Sequence, residues 1–222
     1  MENYYSENLS GERLRRCYEI APPRVRQYLE AEISYVLEQI DGKARILELG
    51  CGYGRVLWHL IPRAEWLVGI DISWDNIKLA QQTLPPGKCD LAVMDATKLG
   101  FARGVFDIVL CIQNGICAFG VDKRDLVTEA IRVAGQGGCL LFSTYSDRFW
   151  EHRLAWFELQ SREGLVGPID YEATRNGTIV CKDGFRAGRF TRADWTRLCE
   201  LLGLRYKLVE VDESSLFCRI SV

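Results

Sequence analysis

Histidine is almost missing from this chain, which has only His59 and His152 among 222 residues. An imidazole-built zinc or iron centre is not expected, and acid–base chemistry has at most two histidines to draw on. No two of the nine cysteines are spaced C-x-x-C, and their number is odd. Cys111, Cys139 and Cys218 stand in apolar, strand-like runs and read as small buried hydrophobes in a reducing compartment, so neither a metal nor a disulfide framework is expected. An excess of either charge is missing as well, with a formal net charge of −2 and a pI near 5.8. Apart from Arg13-Leu14-Arg15-Arg16 there is nothing to hold a polyanion, which argues against a nucleic-acid partner. Long hydrophobic runs are absent: none approaches the roughly 18 apolar residues needed to span a bilayer. Met1-Glu2-Asn3-Tyr4-Tyr5 does not begin with a positive charge followed by an apolar stretch. A soluble, cytoplasmic protein without a membrane partner is expected. With 48% hydrophobic and 26% charged residues, the chain has enough of both for one large domain.

Glycine, by contrast, is concentrated where it matters. Ile46-Leu47-Glu48-Leu49-Gly50-Cys51-Gly52-Tyr53-Gly54 is an apolar strand containing an acid, followed by glycines at every second position and then a helix-like run. Such glycines let the backbone turn sharply and approach a ligand, because no Cβ intervenes and positive φ is open. A dinucleotide fingerprint, G-x-G-x-x-G, would need its third glycine at position 55, where Arg55 stands. Glu48 lies two residues before the first glycine. A carboxylate there repels a pyrophosphate and attracts a cationic amino-acid end group.

Glu48 to Gly54 resembles the first motif of the class I S-adenosylmethionine-dependent methyltransferases, E-x-G-x-G-x-G, without a substitution. The resemblance implies S-adenosylmethionine as cofactor and a Rossmann-like, doubly wound α/β fold with a seven-stranded, mostly parallel sheet closed by a C-terminal antiparallel hairpin. Trp66 to Ile70 leads to Asp71, an acid at a second strand tip that would accept from ribose hydroxyls. Asp90 to Met94 leads to Asp95-Ala96, similar to the family's adenine-binding acidic motif, with Met94, Ile72 and Trp74 placed to flank the ring. After the fourth strand come Gln113 and Asn114, set to contact the methionine moiety or the acceptor. The expected cofactor residues are thus Glu48, Gly50, Cys51, Gly52, Gly54, Asp71, Ile72, Asp95, Ala96 and Gln113.

Hydrophobic period organises the rest. Apolar residues at 25, 29, 33, 36, 37 and 40 predict an amphipathic helix over 22–40, with Pro22 and Pro23 in its first turn, and a shorter helix precedes it around 9–20. Strands are expected at 45–49, 66–70, 90–94, 106–111 and 139–144, the last after a Gly137-Gly138 turn. Helices are expected at 54–61, 74–83 and 123–133, which makes a β-α-β rhythm and a parallel sheet. The rhythm breaks after Tyr145. Residues 146–189 carry an aromatic-rich helix near 149–159 and the hairpin pairs Asn176-Gly177 and Asp183-Gly184. Thr191 to Asp194 opens a helix with a capping-box pattern, and 206–211 and 216–222 form the closing hairpin. The expected organisation is a helical cap at 1–43, a core at 44–145 and 190–222, and a lid at 146–189.

The resemblance implies methyl transfer by in-line displacement to a small-molecule acceptor, at N or O in preference to C or S. His152 is a candidate base in the lid, with Tyr145 and Asn114 as further catalytic candidates and Tyr4, Tyr5, Tyr18 and Tyr171 as polar aromatic alternatives. Trp150, Trp156 and Phe157 would pack the lid on the core. Arg24, Arg26, Arg148 and Arg153 are either ligands for an acceptor carboxylate or, preferably, solvated helix-face charges. Two other functions stay open: a non-catalytic partner subunit of the same fold, and a nicotinamide-dependent oxidoreductase, which Arg55 disfavours.

Overall fold

A computed structural model describes residues 4–222. Met1 to Asn3, part of the amino end considered above, lie outside the described residues. The chain opens with α1 (Tyr4–Asn8), α2 (Glu12–Glu19) and α3 (Pro23–Glu38). Two strand–helix pairs and a lone strand follow: β1 (Ala44–Leu49) and α4 (Arg55–Leu60), β2 (Ala64–Asp71) and α5 (Trp74–Thr83), then β3 (Asp90–Val93). β4 (Phe106–Cys111), the short α6 (Gly115–Ala118), α7 (Lys123–Val133) and β5 (Ala134–Tyr145) complete the parallel part. The insertion holds α8 (Trp150–Arg162) and two-residue strands β6 (Ile179–Val180) and β7 (Arg186–Ala187). α9 (Arg192–Leu201), β8 (Arg205–Val211) and β9 (Ser215–Ser221) end the fold.

The seven-stranded sheet has the order β3-β2-β1-β4-β5-β9-β8, with β9 antiparallel to both neighbours and the other pairings parallel. Strand order reverses between β1 and β4, which is where open α/β sheets form their ligand crevice. Inner strands are buried on both faces, as β1 shows with Ile46, Leu47 and Leu49 all inaccessible, hence the near-continuous apolar runs. Gly69 in β2 lets α4 lie close, since a Cβ there would stand 2.5 Å from Leu57. Helix starts are fixed by side-chain caps: Ser73 for α5, Asp122 for α7, and a full Thr191–Asp194 capping box for α9. Cys111, Cys139 and Cys218 are buried in the strands.

Three expectations need correction. The helix expected around 9–20 starts only at Glu12 and is preceded by a separate α1, because Gly11 takes φ 57° and its N–H donates to Asn76 Oδ1 at 2.7 Å. Gly137-Gly138 is not a separate turn but belongs to β5, which starts at Ala134. Pairing with the chain end draws it in: Gly137 N–H donates to the Val222 carbonyl, and Val222 N–H to that of Gly138. The antiparallel part of the insertion is smaller than its turn signals imply. Both turns form, but pairing is confined to β6 with β7 and the isolated bridges Ile169–Cys181 and Arg175–Thr178.

The insertion packs against the amino-terminal helices in a core of its own, built from Leu9, Cys17, Tyr28, Phe149, Trp156, Phe157 and Phe185 among others. Polar ties reinforce it: Trp156 Nε1 donates to the Cys17 carbonyl at 2.9 Å, and Arg13 Nη2 to the carbonyls of Gly164 and Leu165. Cap and insertion thereby form one roof over the sheet's carboxyl edge.

Candidate cofactor and acceptor cavity

A cavity opens under that roof, at the tips of β1, β2, β3 and β4. Its floor begins with the glycine loop. Gly50, Gly52 and Gly54 have φ of 72°, 53° and 87°, a region L side chains seldom occupy. At Gly50 space is also missing, because a Cβ would stand 2.5 Å from the Phe119 ring. The amides of Gly50 and Cys51 both donate to the Ile70 carbonyl, which hangs the loop from β2.

Glu48, near the end of β1, lines the cavity but is only 4% exposed, and its Oε2 has no hydrogen-bond partner. Burial pushes its pKa up to about 8; Arg55 draws it down and Asp71 adds to the rise. Arg55, the first residue of α4, also lines the cavity. Its guanidinium lies 5.0 Å from the Tyr18 ring, with Nε and Nη2 buried and unpartnered. A carboxyl and a guanidinium thus border one space without a hydrogen bond to each other. Buried polar groups are rarely left so, and these are atoms that a zwitterionic ligand end would satisfy.

Asp71 at the tip of β2 is more fully engaged. Its Oδ2 accepts from Gly52 N–H at 2.9 Å, and Oδ1 from Ser73 N–H and Asn76 Nδ2 at 2.8 and 3.1 Å. Burial raises its pKa, and these donors oppose the rise. Asp71 therefore braces the glycine loop as well as facing the cavity, a double duty that its position as a strand-tip acid does not reveal. Asp95 Oδ1 accepts from Thr97 N–H and Oγ1, while Asp95, Ala96, Met94 and Ile72 all line the cavity.

Gln113 and Asn114 adopt left-handed backbone, φ 56° and 62°, a local strain held by their surroundings. Gln113 N–H donates to Ser143 Oγ and its Oε1 accepts from Tyr18, leaving Nε2 buried and unpartnered at the cavity wall. Asn114 is spent on structure. Its Oδ1 accepts from Thr144 and its Nδ2 donates to the Gly188 carbonyl, tying the insertion to β5, so it is a poor catalytic candidate. Tyr145 lines the cavity, and burial pushes its phenol up to about 12.

Of the expected site residues, Gly54 and Trp74 do not reach the wall. Gly54 is the N-cap of α4, where a Cβ would stand 2.9 Å from Leu84, and Trp74 is 61% exposed at the start of α5. His152 is exposed on α8, against Phe149, and does not line the cavity. Tyr4 bonds Asp183 and Tyr171 bonds Glu158, both away from the cavity, whereas Tyr5 and Tyr18 line it. None of the four candidate arginines lines it either. Arg24 pairs with Asp212, Arg148 with Glu213, and Arg26 donates to backbone carbonyls. Arg153 is no solvated helix-face charge, being 1% exposed.

Several wall residues carry no local sequence signal. Leu9, Leu14 and Cys17 of the cap and Trp156, Phe157 and Gln160 of α8 close the side opposite the acids. Trp156 and Phe157 therefore serve the cavity as well as the packing. The periodicity marks them as buried, but only the roof's tertiary arrangement turns them toward a ligand.

Residues 46–138 match the family model described as methyltransferase domain. The chain is 28% identical over 201 residues to the 2-methyl-6-phytyl-1,4-hydroquinone methyltransferase of Synechocystis sp., covering 79% of this chain and 59% of that one. It is 35% identical over 117 residues to the malonyl-[acyl-carrier protein] O-methyltransferase of Legionella pneumophila, covering 50% of this chain and 40% of that one. The chain thus spans about half the length of these curated relatives. Among solved structures, the N-methyltransferase NodS of Bradyrhizobium japonicum in complex with S-adenosyl-L-homocysteine superposes with a TM-score of 0.60 at 18% identity, over 99% of this chain and 98% of that one. That likeness speaks for the fold; the matched domain model and the curated relatives speak for the lineage. The stretch 46–138 thus carries a methyltransferase domain, and together with the methyltransferase relatives it supports a class I S-adenosylmethionine-dependent methyltransferase with S-adenosylmethionine as cofactor.

Proposed function

We propose that the chain transfers a methyl group from S-adenosylmethionine to a small, largely apolar acceptor at nitrogen or oxygen. The observation that carries this reading is the buried, unpartnered Glu48 carboxyl beside the glycine loop, in the same cavity as the unpartnered Arg55 guanidinium. Glu48 would take the amino group of the cofactor's amino-acid end and Arg55 its carboxylate. Gly50 and Gly52 admit the ligand against the backbone, with Cys51 between them. Asp71 has acceptor capacity left on Oδ2 for a ribose hydroxyl. Asp95 and Ala96 would meet the adenine edge, with Ile72 and Met94 against its faces, and Gln113 Nε2 would donate near the methionine moiety.

When bound, the cofactor supplies a sulfonium-activated methyl group for in-line displacement. The protein's task is then to orient the acceptor and exclude water. The roof side of the cavity supports that division of labour: Tyr5, Leu9, Leu14, Cys17, Tyr18, Tyr145, Trp156, Phe157 and Gln160 include no carboxylate and no imidazole. Burial pushes the Cys17 thiol and the Tyr145 phenol each up to about 12 and raises Tyr5 and Tyr18 well above the ordinary range. None of these groups is a base at neutral pH. The acceptor must bring its own lone pair, as a neutral amine or as an oxygen acid already ionised. Its body would be flat or aliphatic, to suit the aromatic wall. The Synechocystis and Legionella relatives, named for a hydroquinone and an acyl-carrier acceptor, are consistent with an apolar or acidic oxygen substrate.

The test is calorimetric titration with S-adenosylmethionine, S-adenosylhomocysteine and NADH, followed by methyl-transfer assays on apolar amines, phenols and carboxylic acids. Micromolar binding of the sulfur compounds, turnover of at least one acceptor class and no binding of NADH are expected. Binding without turnover across all three classes would replace the catalytic reading with that of a partner subunit.

A further inference from the structure

Arg153 is hard to account for as a packing residue. Its guanidinium is 1% exposed, and no carboxylate pairs with it among the described residues. The terminal nitrogens donate to the backbone carbonyls of Gly177, Ala187 and Gly188 and leave Nε without a partner. Its faces rest on aromatic rings, Tyr145 at 4.1 Å, Phe157 at 5.8 Å and Trp150 at 6.0 Å. Cation–π contacts recover part of the desolvation cost of a buried guanidinium, but they supply no counter-charge.

The same arginine borders a second recess, outside the cofactor cavity, between the start of α8 and the Asn176-Gly177 turn. Two more arginines border it, Arg175 and Arg189, and Arg189 Nε is likewise buried and unpartnered. The one carboxylate on this wall, Asp147, is 75% exposed and pairs with Arg189 Nη1. Three guanidiniums against one carboxylate leave an excess positive charge where two N–H donors already lack acceptors. Trp150 adds an aromatic surface beside them.

We propose that this recess is a second binding site, specific for an anionic oxygen group of the phosphate or carboxylate type. Planar guanidinium forks match the geometry of such groups, and a site partly shielded from water strengthens each charge-assisted bond. The assignment is independent of the methyl-transfer reading, since no bordering residue lines the cofactor cavity. The two sites are nevertheless neighbours through the stacked Arg153 and Tyr145, because Tyr145 belongs to the cavity wall.

The experiment is an NMR titration of the full chain, following the Trp150 indole N–H and the arginine Nε–H signals at constant ionic strength. The probes are inorganic phosphate and phenyl phosphate, with chloride as control. Saturable shifts with phosphate, absent with chloride, are expected, and the Arg175→Gln/Arg189→Gln double variant should weaken binding at least tenfold. Thermal melting and S-adenosylhomocysteine affinity of that variant should stay near wild type, which shows that the fold persists. Tighter binding of phenyl phosphate assigns an organic anion seated on Trp150; equal binding assigns the free ion. The proposal is overturned by shifts that do not saturate, that appear equally with chloride, or that survive the double variant.

Discussion

The two walls of the main cavity are made differently. The wall toward the sheet is built from strand tips and the loops that leave them, where backbone geometry dictates residue type: positive φ at Gly50 and Gly52, acids at 48, 71 and 95. The roof wall is built from side chains of α1, α2 and α8, with no special backbone and no repeated spacing. A ligand common to a whole family is held by the first kind of wall, which tolerates little change. A ligand particular to one protein is read by the second, where any apolar residue of suitable size keeps the roof folded. The division predicts that substitutions on the sheet side act on cofactor binding and those on the roof act on the acceptor.

The largest effect is expected at Glu48. Glu48→Gln should weaken S-adenosylmethionine by about 2–4 kcal/mol, on the order of 30- to 1,000-fold in Kd, through loss of a charge-assisted bond in a buried site. The sign of its pH dependence follows from the raised pKa. Without ligand the carboxyl is protonated below about pH 8 and must ionise to hold an ammonium, so wild-type affinity should rise from pH 6.5 to 8.5 and the variant's should not. Folding responds in the opposite sense. A carboxyl whose folded pKa lies above its unfolded value costs stability as pH rises from about 4.5 through about 8, so the ligand-free variant should melt higher than wild type above pH 8. Calorimetry and thermal melting across that range check both signs, and a variant that loses neither affinity nor its pH slope would remove Glu48 from the cofactor wall.

Next in size is Gly50→Ala. It places a Cβ at φ 72°, a cost of roughly 1–2 kcal/mol, and brings it 2.5 Å from Phe119. Cofactor affinity should fall about tenfold or more, and adding Phe119→Ala should restore part of it by removing the steric share. Equal losses in the single and double variants would mean that backbone strain alone decides. On the roof, Trp156→Phe deletes the indole bond to the Cys17 carbonyl, worth about 1–2 kcal/mol when the acceptor left behind is buried. The acceptor KM should rise several-fold while the cofactor Kd stays within about twofold. A large change in cofactor Kd would break the division between the walls.

The same division explains what could be seen in the sequence. The parallel sheet, the glycine loop and the strand-tip acids were legible because each depends on local rules: apolar runs for strands buried on both faces, glycine where φ must be positive, an acid at a strand end. The Thr191–Asp194 capping box was legible for the same reason. Asp71's grip on Gly52 N–H was not, since it joins residues 19 apart through a loop conformation. Arg55 shows in the sequence only as a missing glycine, and its unpartnered guanidinium in the cavity with Glu48 emerges only from the fold. Arg153 reads in the sequence as a helix-face charge, because burial of a guanidinium is decided by what packs over it, here the carbonyls of residues 177, 187 and 188. Gly137-Gly138 joined a strand through pairing with the chain's last residue, a contact no window of sequence contains.

The smallest expected effect is also the sharpest test of the roof's chemistry. His152 is the only histidine in the insertion, and chemical prejudice makes it the base for an oxygen or nitrogen acceptor. On α8 it is exposed, against Phe149, and does not line the cavity, to which that helix contributes Trp156, Phe157 and Gln160. A base must come within hydrogen-bond reach of the proton it removes, directly or through one water. His152→Ala should therefore leave kcat, the acceptor KM and the pH–rate profile unchanged within about twofold, with a stability change inside the roughly 0.5 kcal/mol usual for surface positions. If turnover instead fell tenfold with the fold intact, α8 would have to turn during catalysis. The roof would then be a moving element that carries a catalytic group, and not a fixed wall that selects an acceptor already equipped with its own lone pair.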